Sequence, residues 1–216
     1  MSTPERLIES TQELLWERGY VGTSPKAIQQ RAGAGQGSMY HHFAGKPELA
    51  LAAIRRSAEQ RMALADEQFS GPGTALERVA AYLRLQRDVL RGCPIGRLTQ
   101  DPDVIADDDL RRPVAETFEH LRVRLAQVLA EGQARGELQP VLDPGNTAAA
   151  VVAVLQGSYV LARAAGSAEP FDQAVEGAIA LLATQAVTRA INQTAAGERA
   201  AGERVAGERA AGDGEN

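Results

Sequence analysis

Residues Thr23 to Leu49 read TSPKAIQQRAGAGQGSMYHHFAGKPEL, and this stretch decides the fold. Ser24 is placed to cap a short helix whose first residue is Pro25, with Ala27, Ile28, Arg31 and Ala32 following at helical spacing. Gly33 ends that helix, and Gly33-Ala34-Gly35 makes a turn that tolerates positive φ. Gln36 to Phe43 then reads as a second short helix, with Met39 and Phe43 inward and Ser38, Tyr40, His41 and His42 outward. Two short helices across a glycine turn form a helix-turn-helix, and the polar outer face of the second is built to touch something.

Charge narrows what it touches. No acidic residue occurs from Arg18 to Pro47, whereas Arg18, Lys26, Arg31 and Lys46 fall there, including both lysines of a chain whose net charge is −5. The balance is +1 through Gln60 and −6 beyond it, so the cationic character belongs to the N-terminal part. Cations interleaved with hydroxyl, amide and imidazole groups suit phosphate contacts beside a helix that reads base edges. Four cations on a solvated face are unremarkable alone, so the spacing has to carry the reading.

The run I-x-x-x-A-G-x-x-x-G-S-x-Y-H-H-F-x-x-K-x-x-L, from Ile28 to Leu49 with Lys46 three residues after Phe43, resembles the DNA-binding domain of the TetR family of bacterial repressors. The resemblance implies an all-α chain: a three-helix DNA-binding domain over 1–46, then a larger helical ligand-binding and dimerisation domain over 47–193. It also implies DNA contacts from Thr23, Lys26, Gln36, Gly37, Ser38, Tyr40, His41, His42 and Lys46. Gln29 departs from the small residue usual at the close crossing of the two helices, and Gly35 from the usual side-chain cap. A Gly92-Cys93-Pro94 segment further on resembles the LmrA and YxaF-type branch of the family.

Around this stretch the chain reads as helices throughout. Ser2, Thr3, Pro4 and Glu5 start the first helix, Leu7, Ile8, Thr11, Leu14 and Leu15 give its apolar face, and Gly19 stops it. Tyr20 and Val21 are expected to pack beneath the helix-turn-helix, and Trp16 to serve as a core or hinge residue. Lys46 to Phe69 reads as one long helix ended by Gly71-Pro72-Gly73, and Ala75 to Arg91 as the next, capped by Thr74. Arg97 to Asp103 suggests a short helix or turn. Asp107-Asp108-Asp109 opens a helix running to Gly136, where the acids suit the dipole; consecutive acids point different ways on a helix, which argues against a metal site.

Asp143-Pro144 opens a helix through Arg163 that is apolar nearly all round, and Pro170 to about Asn192 is another. Two such helices need more cover than one subunit supplies. A homodimer through 146–163 and 171–191 is therefore expected, and a charge at Leu155 or Leu182 should break it. From Thr194 the repeats AAGER, AAGER and VAGER spread apolar residues around a helix with recurrent glycine, which reads as a solvated tail over 194–216. Phe69, Tyr82, Gln86, Phe118, Leu121, Gln156 and Tyr159 could converge on an effector cavity, with Arg122 or Arg163 for a carboxylate, implying a mainly apolar, neutral or weakly anionic ligand.

An enzyme is disfavoured. Gly33 to Gly37 lacks the preceding strand of a dinucleotide-binding fingerprint and the Gly-Lys-Ser/Thr of a phosphate loop, and the chain holds no Gly-x-Ser-x-Gly and no HExxH. No metal site or cofactor is expected. One cysteine, Cys93, precludes an intramolecular disulfide and reads as a packing residue, and no apolar run approaches the ~20 residues of a membrane span. A cytoplasmic protein is expected, and the family resemblance implies as its partners double-stranded operator DNA, a small-molecule effector and a second copy of itself. The rival is a helical small-molecule or protein-binding module without DNA binding.

Overall fold

Among the described residues, 1–187, the computed structural model is built from nine α-helices and one 3-10 turn, with a single isolated bridge between Leu138 and Ala186 and no strand. In chain order these are α1 (Thr3–Arg18), α2 (Pro25–Ala32), α3 (Gln36–His42), α4 (Lys46–Phe69), α5 (Ala75–Leu83), the 3-10 turn (Gly96–Gln100), α6 (Pro102–Ala106), α7 (Asp108–Ala134), α8 (Pro144–Ala165) and α9 (Glu169–Ala183). The tail expected from Thr194 lies outside the described residues.

Local chemistry accounts for the boundaries. Ser2 with Glu5, and Thr74 with Glu77, form reciprocal capping boxes at α1 and α5. Ser24, Asp101, Asp107 and Asp143 cap α2, α6, α7 and α8. Gly33 and Gly166 close α2 and α8 at φ +58° and +64°, the left-handed region where glycine carries no Cβ penalty. The triple aspartate is spent on this architecture: Asp107 accepts from Asp109 and Leu110 N–H, while Asp108 and Asp109 pair with Arg111 and Arg112.

Three buried clusters stack along α4. The first joins Leu7, Leu14, Ile28, Ala32, Met39 and Leu49, and so seats α2 and α3 on α1 and the start of α4. The second joins Leu15, Tyr20, Ala53 and Ile54 to Ile95, Leu98, Val104 and Leu110. The third holds Ala65 and Phe69 among α5, α7, α8 and α9. A single 24-residue helix threading all three fixes the helix-turn-helix to the rest of the described chain.

The structure departs from the sequence reading in three places. The helix expected over Ala75–Arg91 stops at Leu83, because Arg87 folds back and donates to the carbonyls of Leu83 at 2.9 Å, Leu85 at 2.7 Å and Tyr82 at 2.5 Å, supplying the partners a further turn would have given. The last helix ends at Ala183, not near Asn192; Gln185 and Ala186 turn back so that Gln139 N–H donates to Gln185 O and Ala186 bridges Leu138, and the rest of the expected span lies outside the described residues. Tyr20 is buried, in the second cluster, but Val21 is 58% exposed and packs under nothing.

Candidate nucleic-acid interface and ligand cavity

Burial of one side chain orients α3. Met39 is fully buried in the first cluster, with Phe43 half-buried against it, which turns Gln36, Gly37, Tyr40, His41 and His42 to the surface and leaves Ser38 half-buried. The two imidazole rings lie edge to face with centroids 4.9 Å apart. Gly35 gives α3 no side-chain cap, so no capping side chain meets the first N–H groups of the helix. Gln29 fits the crossing of α2 and α3 by laying its amide 3.4 Å from the Met39 sulfur, which is how the larger side chain is accommodated.

Not every expected contact is available. Thr23 is 2% exposed and its hydroxyl donates to Gly19 O at 2.7 Å, so it holds the α1–α2 turn and presents nothing to a partner. Arg31 is paired with Glu17 at 3.0 Å and Glu13 at 3.7 Å, which offsets part of its charge. Lys46 is half-buried with Nζ 3.9 Å from the centroid of the Tyr20 ring. Burial holds its pKa below the ordinary lysine value, against the opposing pull of Asp103 and Asp101. Lys26 remains exposed in the first turn of α2.

A second feature lies between the 3-10 turn and α8. Gly92, Cys93, Gly96, Arg97, Thr99, Gln100, Phe118, Gln156, Gly157, Tyr159, Val160 and Arg163 enclose a cavity of about 210 Å³. Cys93, Phe118, Gln156 and Tyr159 also line a neighbouring space of about 30 Å³, whose far wall includes Tyr82 and Leu121. Burial pushes the phenols of Tyr82 and Tyr159 above the ordinary range, so both are neutral donors at physiological pH. Phe118, Gln156, Tyr159 and Arg163 thus meet at one cavity, with Tyr82 and Leu121 behind it. Three expected lining residues do not. Phe69 is spent in the core, its ring 4.7 Å from that of Tyr82; Gln86 is exposed beyond the end of α5; and Arg122 is held on the surface by Glu119 at 2.6 Å.

Arg97 and Gly92 escaped the sequence reading. Gly92 adopts φ +86°, and its position in the Gly92-Cys93-Pro94 break was the available sign. Cys93 is half-buried, its sulfur accepting from Gly96 N–H at 3.2 Å.

Comparison with known proteins fits this geometry. Residues 7–53 match the family model for the N-terminal domain of bacterial regulatory proteins of the tetR family, and residues 74–178 match the tetracyclin repressor-like C-terminal domain. The transcriptional regulator AcuR of Cereibacter sphaeroides is 30% identical over 166 residues, covering 74% of this chain and 75% of that one. This chain belongs to the TetR family. The repressor NemR of Escherichia coli is 25% identical over 192 residues, covering 86% and 96% of the two chains. The crystal structure of a TetR regulatory protein from Rhodobacter sphaeroides superposes with a TM-score of 0.73 at 28% identity, over 81% of this chain and 96% of that one. As a TetR-family member the chain is a DNA-binding transcription regulator and not an enzyme. These matches do not place it in the branch that Gly92-Cys93-Pro94 resembles.

Proposed function

We propose that this TetR-family regulator is a ligand-responsive repressor that binds a near-palindromic operator as a homodimer and is released by a small effector held between the 3-10 turn and α8. It acts in the cytoplasm, with 1–46 as the DNA-binding part, 47–193 for ligand and dimer contacts, and 194–216 as an appended tail. The observation that carries the DNA reading is α3: burial of Met39 fixes a helix whose outer face is Gln36, Tyr40, His41 and His42, and Lys26 is exposed on the preceding helix of the pair. Such a face suits a major groove, with two copies meeting half-sites ~34 to 36 Å apart. That NemR is a repressor supports repression here. Ligand and DNA then oppose each other by linkage.

A gel shift on duplexes selected by the protein from a random pool tests this. Lys26→Ala should weaken all sequences alike and lower the salt slope by about one, as a phosphate contact does. Gln36→Ala and Tyr40→Ala should instead alter which base pairs are selected. Failure to enrich any duplex would leave a helical binding module without DNA binding.

A further inference from the structure

The wall of the cavity is also the seat of α1. Arg97 donates through Nη1 to the carbonyl of Trp16 and, at 3.2 Å, to that of Glu17, in the last turn of α1, where a cation is favoured by the helix dipole. Trp16 in turn donates from its indole nitrogen to Gly92 O at 2.8 Å, and Arg91 stacks on the indole 3.7 Å from the ring centroid while pairing with Glu13 at 2.5 Å. Gly92 and Arg97 therefore belong both to the cavity and to the contact with the helix on which α2 and α3 rest.

The cavity carries uncompensated positive charge. Its lining includes Arg97 and Arg163 and no acidic residue. Among the described residues Arg163 has no ion pair, and Arg97 bonds only to neutral carbonyls. An added Cβ at Gly92 would stand 3.4 Å from the Arg163 stem and 3.6 Å from that of Arg97, so the two side chains run past the same point. Burial, then the charges of Arg163 and Arg91, hold the Arg97 guanidinium below its ordinary pKa. Phe118, Tyr159 and Val160 supply apolar wall, and Thr99, Gln100 and Gln156 polar tips. At about 30 Å³ per water, 210 Å³ has room for about seven, the bulk of a small organic molecule.

We propose that this cavity is a receptor site for a small organic carboxylate with a short apolar body, bound by Arg97 and Arg163, and that Arg97 leaves the carbonyls of α1 to bind it. A charged partner of matching fork geometry outcompetes two neutral carbonyls, so the transfer has a driving force. It removes one of the ties on the end of α1, beside those of Trp16 and Arg91, and so loosens the seat of the helix-turn-helix. The proposal rests on the ligand-responsive reading above and names the ligand class and the side chain that reports it.

Trp16 is the one tryptophan of the chain, so its emission reads the joint directly. The full chain is titrated with benzoate and hexanoate, and with benzamide and hexanamide as neutral counterparts, by calorimetry and tryptophan fluorescence. The carboxylates should bind at least tenfold more tightly than the amides and shift the Trp16 emission. Arg163→Gln, at an exposed and unpaired side chain, should keep the fold and lose at least tenfold in benzoate affinity, and Arg97→Gln should lose as much. Absence of carboxylate binding, equal binding of acid and amide, unchanged affinity in both variants, or binding that leaves the emission unmoved would overturn the proposal. The same samples are run against the selected duplex. Carboxylates that bind as described without weakening DNA binding would sink the effector reading while the site stands. Release of DNA by another compound, when no carboxylate binds, would do the reverse.

Discussion

Asp101 is the residue on which most backbone donors converge. Its carboxylate, 7% exposed, accepts from Tyr20 N–H at 2.7 Å and Val21 N–H at 3.0 Å through one oxygen, and from Asp103 and Val104 N–H at 3.2 and 3.4 Å through the other. It caps α6 and pins the α1–α2 turn in the same act. Gly19 is needed opposite it, since φ there is +75° and a Cβ would fall 2.8 Å from Asp101 Oδ2. Asp101→Ala strips two sets of donors at once and should cost about 3 kcal/mol, because buried N–H groups are left without partners. Thermal denaturation should show this as a drop of about 9 °C for a chain of this size; a loss under about 1 kcal/mol would mean that water or a shifted turn replaces the carboxylate. The sequence reading reached only a short helix or turn over Arg97 to Asp103, and nothing local to Asp101 points to a turn eighty residues earlier. Thr23 was opaque for the same reason, its burial depending on how the α1–α2 turn closes.

Among elements, the legible ones carry their own caps and periodicity, and the opaque ones depend on distant side chains. α1, α2, α4, α7 and α8 begin where Ser, Asp, Gly and Pro place them. The segment 84–95 keeps apolar residues at helical spacing, yet Arg87 caps the turn before it and Arg91 draws it to α1, two contacts that spacing cannot encode. The α4–α7 joint offers a test of such side-chain ties. Asp66 on α4 accepts from Arg124 at 2.7 Å and lies 3.0 Å from His120 Nε2, both on α7. Burial alone would raise the Asp66 pKa, but the hydrogen bonds from Arg124 and His120 outweigh it and hold the group below 3.8. A carboxylate depressed in the folded state adds stability above its unfolded pKa and loses it as pH falls through the folded value. Because the side chain is 41% exposed, screening limits the effect, and Asp66→Asn should cost only about 0.5 to 1 kcal/mol at pH 7. The gap between wild type and variant in melting temperature should close as the pH drops below 3.8. A gap that persists unchanged in acid would mean the tie acts by packing and not by charge.

At the scale of the molecule, the unresolved quantity is apolar surface. α8 and α9 pack together and bury Val151, Leu155, Ala162, Val175 and Leu182, but their other faces carry Val154 at 39%, Leu161 at 55% and Leu181 at 73% exposure. Gly177 lies among these with open space where a Cβ would stand, which lets another backbone approach closely. A groove of about 430 Å³ bounded by Ala150, Val154, Leu181 and Gln185 continues the face. Apolar patches of this kind mark association in chains that otherwise stay in solution, and a second copy offering the same face is self-complementary about a two-fold axis. The sequence reading found the helices but chose the wrong residues for the test: Leu155 and Leu182, 3% and 6% exposed, point into their own subunit, so a charge there would unfold the chain before it separated two copies. The informative substitutions are Leu161→Glu and Leu181→Glu, which add charge at exposed positions and leave the isolated subunit's core intact. Light scattering at micromolar concentration should give a dimer for the wild type and a monomer for either variant, with helical circular dichroism retained. Selected duplex should then bind each variant far more weakly, because one recognition helix alone gains only a half-site. A wild type that is monomeric at that concentration, or variants that stay dimeric, would place the contact on another face.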